Sequence, residues 1–240
     1  MIRNNPEIKG YTTNTYELKI SQFADDTSLF LDGSQSSFEK CIESILKFGQ
    51  MSGLNINLEK TKIIWFGCPR PPETKYMQQM DFEWNPELFS ILGVEFSTEL
   101  LNITDNNIKA KWTIIQRELK HWASRDLTPI GRITIVKSLI LSKIVHLLIA
   151  LPNPSPKLIK DLEAMLFKFI WKGKPDKVKR NTVKQPFEQG GLDMLDINHF
   201  ITALKVSWFR RIKDDSIWKQ VLISTQPNIL NLSNWEQSTY

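Results

Sequence analysis

The sequence predicts an α+β protein, in which an acidic, β-containing first part with a packed helix is followed by a basic bundle of helices. Three observations carry this. Near the N-terminus, Leu18 and Ile20 alternate with polar neighbours and Leu29, Phe30 and Leu31 form a β-prone run, the pattern of strands. From Thr104 onward, apolar residues recur every three or four positions instead. The charge divides at the same place: residues 1–100 hold 9 Lys and Arg against 14 Asp and Glu, whereas residues 101–240 hold 22 against 12. A hydrophobic content of 41% and a charged content of 24% over 240 residues are those of an ordinary globular chain, long enough for one large or two small domains. Cys41 and Cys68 form no CxxC pair, and the only imidazoles are His121, His146 and His199, so neither a disulfide framework nor zinc spacing is present. The polar N-terminus lacks a signal-peptide core, and an intracellular location, nuclear or cytoplasmic, is expected.

The first predicted element is a hairpin spanning Leu18 to Leu31, with Asp25 and Asp26 at its tip. Aspartate is an ordinary turn residue, because its carboxylate bonds the local backbone, so a plain turn is one reading. The other is chemical. Phe23 and Ala24 precede the acids and are expected to press them against a core, and two fixed carboxylates suit a hard divalent cation such as Mg²⁺.

A helix follows, with a capping-box spacing at Ser36 to Glu39 and with Phe38, Cys41, Ile42, Ile45 and Phe48 at helical intervals up to Gly53. Phe38, Ile45 and Phe48 are expected to support the sheet that carries the acids. A strand is predicted at Thr61 to Phe66. Regular structure is not expected between Cys68 and Glu87, which contain four prolines, and Phe89 to Phe96 reads as a strand pair or bulged strand with Gly93 at a close approach.

In the second part Thr104 is a candidate cap for a helix with the stripe Ile108, Trp112, Ile115, Leu119 and Trp122. Thr128 and Pro129 start a helix expected to run to Leu151. It is apolar enough to raise a membrane span, but Arg132, Lys137, Lys143 and His146 would be costly in a bilayer, so a buried helix is expected and no membrane partner. Ser155 and Pro156 open a third helix ending at Trp171 and Gly173. Then comes a basic run with Lys172, Lys174, Lys177, Lys179, Arg180 and Lys184 against the single acid Asp176. Such a run is usually solvated, yet beside Trp171 it is the best candidate for contacts to a nucleic-acid backbone. Gly190-Gly191 marks a turn, and Asp196 can cap a fourth helix whose Lys205, Arg210, Arg211 and Lys213 add positive charge. Beyond Asp215 a short helix near Trp218 and a loose tail are expected.

Phe23-Ala24-Asp25-Asp26 resembles the catalytic motif of reverse transcriptases in the form found in LINE-type (non-LTR) retrotransposons. Ser52 to Asn57 with Lys60-Thr61-Lys62 resembles the next palm motif, and Ile91-Leu92-Gly93-Val94 the primer-contacting hairpin. Trp122, Leu127 to Arg132, Phe169-Ile170-Trp171 and Gly190-Gly191-Leu192 resemble the thumb and the region after it. The order and spacing of these blocks cover roughly residues 2–213, which is more specific than any one tetrapeptide.

The resemblance implies a partial palm, an antiparallel sheet with a packed helix, over residues 1–100, a helical thumb and connection over 101–215, and a short helix and tail over 216–240. It implies two-metal nucleotidyl transfer in a parent RNA-directed DNA polymerase that uses Mg²⁺ or Mn²⁺, with an RNA template, a DNA primer and dNTP as partners. Asp25 and Asp26 are then catalytic metal ligands. Lys60 is a candidate to protonate the departing pyrophosphate, with Lys62 competing for that role and a solvated turn lysine as the plain alternative. The family's third metal-binding acid lies upstream of anything resembled here, so the chain alone is expected to be inactive. A non-catalytic nucleic-acid-binding module and a degenerate mobile-element remnant are the competing readings.

Overall fold

The computed structural model describes residues 1–12, 16–67, 82–97, 100–211 and 219. It is a mixed α/β structure that divides into two units, one of Met1–Leu92 with Ile212–Tyr240 and one of Gly93–Arg211. The expectations for Cys68 to Asp81 and for the tail beyond Ile212 fall outside the described residues.

In the first unit, β1 (Tyr11–Thr12) pairs antiparallel with β2 (Glu17–Leu18), and β3 (Ile20–Phe23) pairs antiparallel with β4 (Asp26–Leu29). The β3–β4 ladder continues through the Phe30 N–H donating to the Lys19 carbonyl, and the Asp32 N–H then donates to Lys9. Ile8 and Lys19 are buried here, and the Lys19 ammonium donates to the Asn5 carbonyl and pairs with Glu17.

Helix α1 (Gln35–Ser52) starts earlier than the predicted box, its N-cap lying two residues before Ser36. Ser34 is the N-cap, accepting from the Ser37 N–H, while Asp32 accepts from both the N–H and the hydroxyl of Ser34. Burial works against the Asp32 charge, but these donors and the Ser37 hydroxyl outweigh it and hold its carboxyl below the usual range. The helix ends as expected at Gly53, whose φ of 76° is the left-handed conformation that glycine adopts without cost. Its core face is narrower than the apolar periodicity implied. Cys41 and Ile42 are buried and Phe38 stacks on Trp84, but Phe48 is exposed and supports no sheet.

The strand predicted from Thr61 shrinks to β5 (Lys62–Ile63), and a strand also forms inside the proline-rich stretch, β6 (Glu83–Trp84). The two pair in parallel, and among the described residues the sheet elements are separate two-stranded pieces rather than one antiparallel sheet. The Lys62–Glu83 ion pair and the Asn85 side chain, which accepts from the Trp65 N–H, fix this register.

Between β7 (Leu88–Ile91) and β8 (Val94–Ser97) the turn is Leu92-Gly93, with φ of 49° and 76°. Two consecutive positive φ values define the hairpin turn whose twist matches its strands. Gly93 therefore serves the turn and not a close approach, since a Cβ there would meet nothing nearer than 4.0 Å.

Apart from β8, the elements of the second unit are helical. Helix α2 (Ile103–Ala123) starts at Asn102, not Thr104, because the Thr104 hydroxyl is committed to the Pro152 carbonyl. Ile108, Ile115 and Leu119 are buried as the stripe predicted, with Trp112 and Trp122 packed beside them. Thr128 caps α3 (Pro129–Ile135) through the Gly131 N–H, and Pro129 is its first residue. The helix does not run straight to Leu151. A π turn at Val136–Ile140 separates α3 from α4 (Ser142–Ala150), and the two arms bend by 50°. The hydroxyls of Thr134, Ser138 and Ser142 each bond a carbonyl three or four residues back on the same side, a known cause of bending.

Among the described residues no single helix is long and apolar enough to cross a membrane. The bent pair passes by composition alone, and its Ile133, Val136, Ile140, Leu141, Ile144, Leu147 and Leu148 lie in the core. Ser155 caps α5 (Pro156–Ile170), Asp105 accepts from the Ser155 N–H, and α6 (Arg180–Lys184) buries Val183. At Gly191 a Cβ would sit 1.9 Å from the Gln185 carbonyl oxygen, so only glycine lets the two backbones approach. Asp196 caps α7 (Ile197–Arg211) through the His199 N–H.

Candidate catalytic hairpin and basic surface

The acid pair sits where the alternating sequence put it. Ala24 and Asp25 form the two-residue loop, and Phe23 faces Asp26 across the first rung. Ala24 has φ of 52° while Asp25 does not share the positive sign, a combination in which glycine is the usual first residue. The Gln22 amide reaches the Thr27 hydroxyl across the next rung and steadies the tip.

The expectation that Phe23 packs behind the acids is corrected. Phe23 is 67% exposed, and Asp25 and Asp26 are exposed with it. Among the described residues β3–β4 is a sheet of two strands with no neighbour at its edges, and residues 21–27 are all exposed, so the hairpin tip stands clear of a core. The donor set is two adjacent carboxylates, chemically matched to a hard cation. Among the described residues no cluster of three His, Cys, Asp or Glu side chains that could hold a metal forms around them or elsewhere. The pair therefore fits part of a divalent-cation cage.

Lys60 lies in the turn after α1, its N–H held by the Asn57 side chain and its ammonium exposed. Lys62 is engaged with Glu83 at 3.0 Å. Of the two candidate lysines, Lys60 is the one without an ion pair among the described residues, and no hydrogen bond joins it to either acid.

The basic run is sorted by its partners. Lys172 pairs with Asp126 at 2.8 Å. Arg180 pairs with Asp176 at 2.8 Å and with Glu163 at 3.8 Å, and stacks over the Phe167 ring. Lys184 bridges Glu163 and Asp196, half-hidden between α5 and α7. Burial disfavours the Lys184 charge, but the two carboxylates outweigh it and hold its ammonium above the usual lysine range. Asp196 is held below its usual range, burial being outweighed by Lys184 and the His199 N–H. Lys174, Lys177 and Lys179 are exposed and carry no ion pair among the described residues. Arg210 and Arg211 end α7, and their side chains lie outside the described ones. Lys205, expected on the positive surface, instead donates to the Ile149 and Leu151 carbonyls at the end of α4, and burial depresses its pKa.

Sequence reasoning missed Arg132, which it had placed among charges unfit for a bilayer. The side chain is 1% exposed. Its guanidinium donates to the carbonyls of Leu127, Phe169, Ala123 and Arg125 at 3.0–3.4 Å and lies 4.8 Å over the Phe169 ring. It thus gathers the C-terminal ends of α2 and α5, where unpaired carbonyls and the helix dipole favour a cation. The signal was the Thr128-Pro129 helix start, which places an arginine one turn in, beside the preceding helix end.

Residues 4–96 match the family model described as reverse transcriptase (RNA-dependent DNA polymerase), a segment that includes the acid hairpin. The chain is also similar to the transposon TX1 uncharacterized 149 kDa protein of Xenopus laevis. The identity is 24% over 198 residues, covering 80% of this chain and 14% of that protein. The chain thus spans about one-seventh of the length of the relative it matches.

Proposed function

We propose that this chain is a palm-and-thumb section of the RNA-directed DNA polymerase of a non-LTR mobile element. In this reading residues 1–100 are palm and 101–215 thumb and connection, and Asp25 and Asp26 supply two of the carboxylates that hold catalytic Mg²⁺ or Mn²⁺. The observation that carries it is the acid pair at a two-residue hairpin tip inside the segment that matches the reverse transcriptase model. The similarity to a transposon protein supports the mobile-element origin.

Asp25 and Asp26 would hold such cations, whose chemistry when bound would be to activate a primer hydroxyl and to neutralise a leaving pyrophosphate. The chain's own residues do simpler things. The hairpin turn holds two adjacent carboxylates at its tip, with Asp26 in register with Phe23, and Lys60 offers an unengaged ammonium as a proton donor. RNA template, DNA primer and dNTP are the partners this chemistry requires.

Two carboxylates hold two divalent ions poorly, and among the described residues no third joins them. The 240-residue chain is accordingly expected to show no robust primer extension on an RNA template with either cation, while a longer parent protein loses its extension on Asp25→Ala. Strong Asp25-dependent synthesis by the chain alone would overturn the incomplete-site reading. Synthesis by the parent that survives Asp25→Ala would overturn the assignment of the acids. The exposure of the acid tip also favours a second reading, a nucleic-acid binder without catalysis, for which binding persists in Asp25→Ala and no parent protein extends a primer.

A further inference from the structure

The six lysines and arginines of the basic run are not equivalent, and the pairing just described leaves a different cationic surface from the one the run suggested. Lys172, Arg180 and Lys184 are spent on Asp126, Asp176, Glu163 and Asp196. Neutralising Asp176 also removes the only acid from the loop between α5 and α6. What stays uncompensated is Lys174, Lys177 and Lys179.

Helix α5 adds to them. Its solvent side carries Lys157, Lys160, Ala164 and Lys168, all exposed, while Leu158, Leu162, Leu166 and Phe169 face the core. At 3.6 residues per turn the three lysines share an arc of roughly 80°, and at 1.5 Å per residue they extend over about 16 Å. No acid falls within that arc, Asp161 lying about 20° beyond its edge, and none of the three lysines has an ion pair among the described residues. At the end of the helix, Lys172 and Gly173 take φ of 55° and 76°, and the Gly173 N–H returns to the Lys168 carbonyl. The chain therefore turns at the end of the stripe into the loop bearing the other three lysines. Arg180, stacked on Phe167 and paired to Glu163, ties the far end of that loop to the flank of the same helix.

We propose that Lys157, Lys160 and Lys168, continued by Lys174, Lys177 and Lys179, form a track for a nucleic-acid backbone, with Arg180 and Lys184 as positioning residues that fix the loop to α5. This deepens the reading that the chain works on nucleic acid, and rests on it. The about 16 Å of helix matches roughly five phosphates of one strand at 3.4 Å each. A linear row of point charges with no aromatic ring among them suits phosphate contact without base readout.

The test is binding of the whole chain to a labelled RNA–DNA duplex of random sequence at several salt concentrations. Removing three phosphate contacts lowers the log–log salt slope by about 2–3. The triple substitution K157Q/K160Q/K168Q and, separately, K174Q/K177Q/K179Q are each expected to do so and to weaken binding roughly tenfold or more at moderate salt. The equal-charge control K109Q/R117Q/K120Q, on α2, is expected to move the slope by less than one.

Lys184→Met removes no track lysine, and is expected to weaken duplex binding and raise proteolytic cutting within residues 172–179 together. A slope unchanged in both track variants, or lowered as much by the control, overturns the track while leaving the polymerase reading intact. Duplex binding unchanged in Lys184→Met despite increased cutting overturns the positioning role. Absence of any duplex binding by the unsubstituted chain sinks both readings. Tighter binding to phosphatidylserine vesicles than to the duplex assigns the track to a lipid surface and also overturns the proposal.

Discussion

Replacing Arg132 with methionine removes every donor from the junction of α2, α3 and α5 while keeping most of the side-chain volume. The guanidinium there makes four hydrogen bonds to carbonyls, at 3.0, 3.2, 3.2 and 3.4 Å, and no carboxylate forms an ion pair with it among the described residues. Hydrogen bonds to a charged group contribute about 1.5–3 kcal/mol each when the geometry is good. The 3.4 Å contact is weak, and the Phe169 carbonyl keeps a second donor, the Lys172 N–H. A loss of about 3–5 kcal/mol is therefore expected from the remaining bonds to the charged group and the carbonyls left without a donor. For a domain of this size that corresponds to a fall in Tm of roughly 10–20 °C.

Urea unfolding followed by tryptophan fluorescence reads it directly, since Trp171, at the end of α5, is buried beside the junction. Arg132→Lys keeps the charge but cannot span four carbonyls with one ammonium, and is expected to recover about half of the loss. A methionine variant that loses less than about 1 kcal/mol refutes the reasoning, because the carbonyls would then be satisfied without the arginine.

The Lys184–Asp196 pair predicts a pH window. The Asp196 carboxyl is depressed on folding, so its contribution is present above its unfolded pKa near 3.8 and is lost as pH falls through the lower folded value. The Lys184 ammonium is raised, so its contribution is present below 10.5 and lost as pH rises through the higher folded value. Stability of the helical unit should plateau between these limits, and Lys184→Met should flatten both edges in urea titrations across pH. At the hairpin turn, Leu92→Asn replaces an apolar residue at positive φ with one that tolerates it, and a gain of about 1 kcal/mol by thermal unfolding is expected. Gly191→Ala places a Cβ against the Gln185 carbonyl oxygen and should lower the urea midpoint strongly. Gly173→Ala, with open space around it, should cost only the backbone penalty of about 1 kcal/mol.

The α+β class, the acid hairpin, the caps at Thr128 and Ser155 and the stripe on α2 were legible because each depends on residues a few positions apart. A cap needs a hydroxyl and the third N–H after it, and a turn needs four residues. The acid pair belongs to this group: a tight loop between alternating runs puts Asp25 and Asp26 at a tip in any surroundings that permit the hairpin. What covers the hairpin was not legible, because alternation states which residues share a face and not whether another strand lies over it. Phe23 and Phe48, apolar in sequence and exposed in the structure, show the difference.

Only the tertiary structure decided which charges are available. Arg132, Lys184 and Lys205 look like surface cations in sequence, yet each is consumed by groups brought from far along the chain, such as Phe169, Glu163 and Ile149. Ion pairing and carbonyl capping depend on separations of a few ångströms between residues tens of positions apart. Periodicity carries no information about such separations, so the free lysines on α5 emerged only once the neighbouring helices had claimed the others.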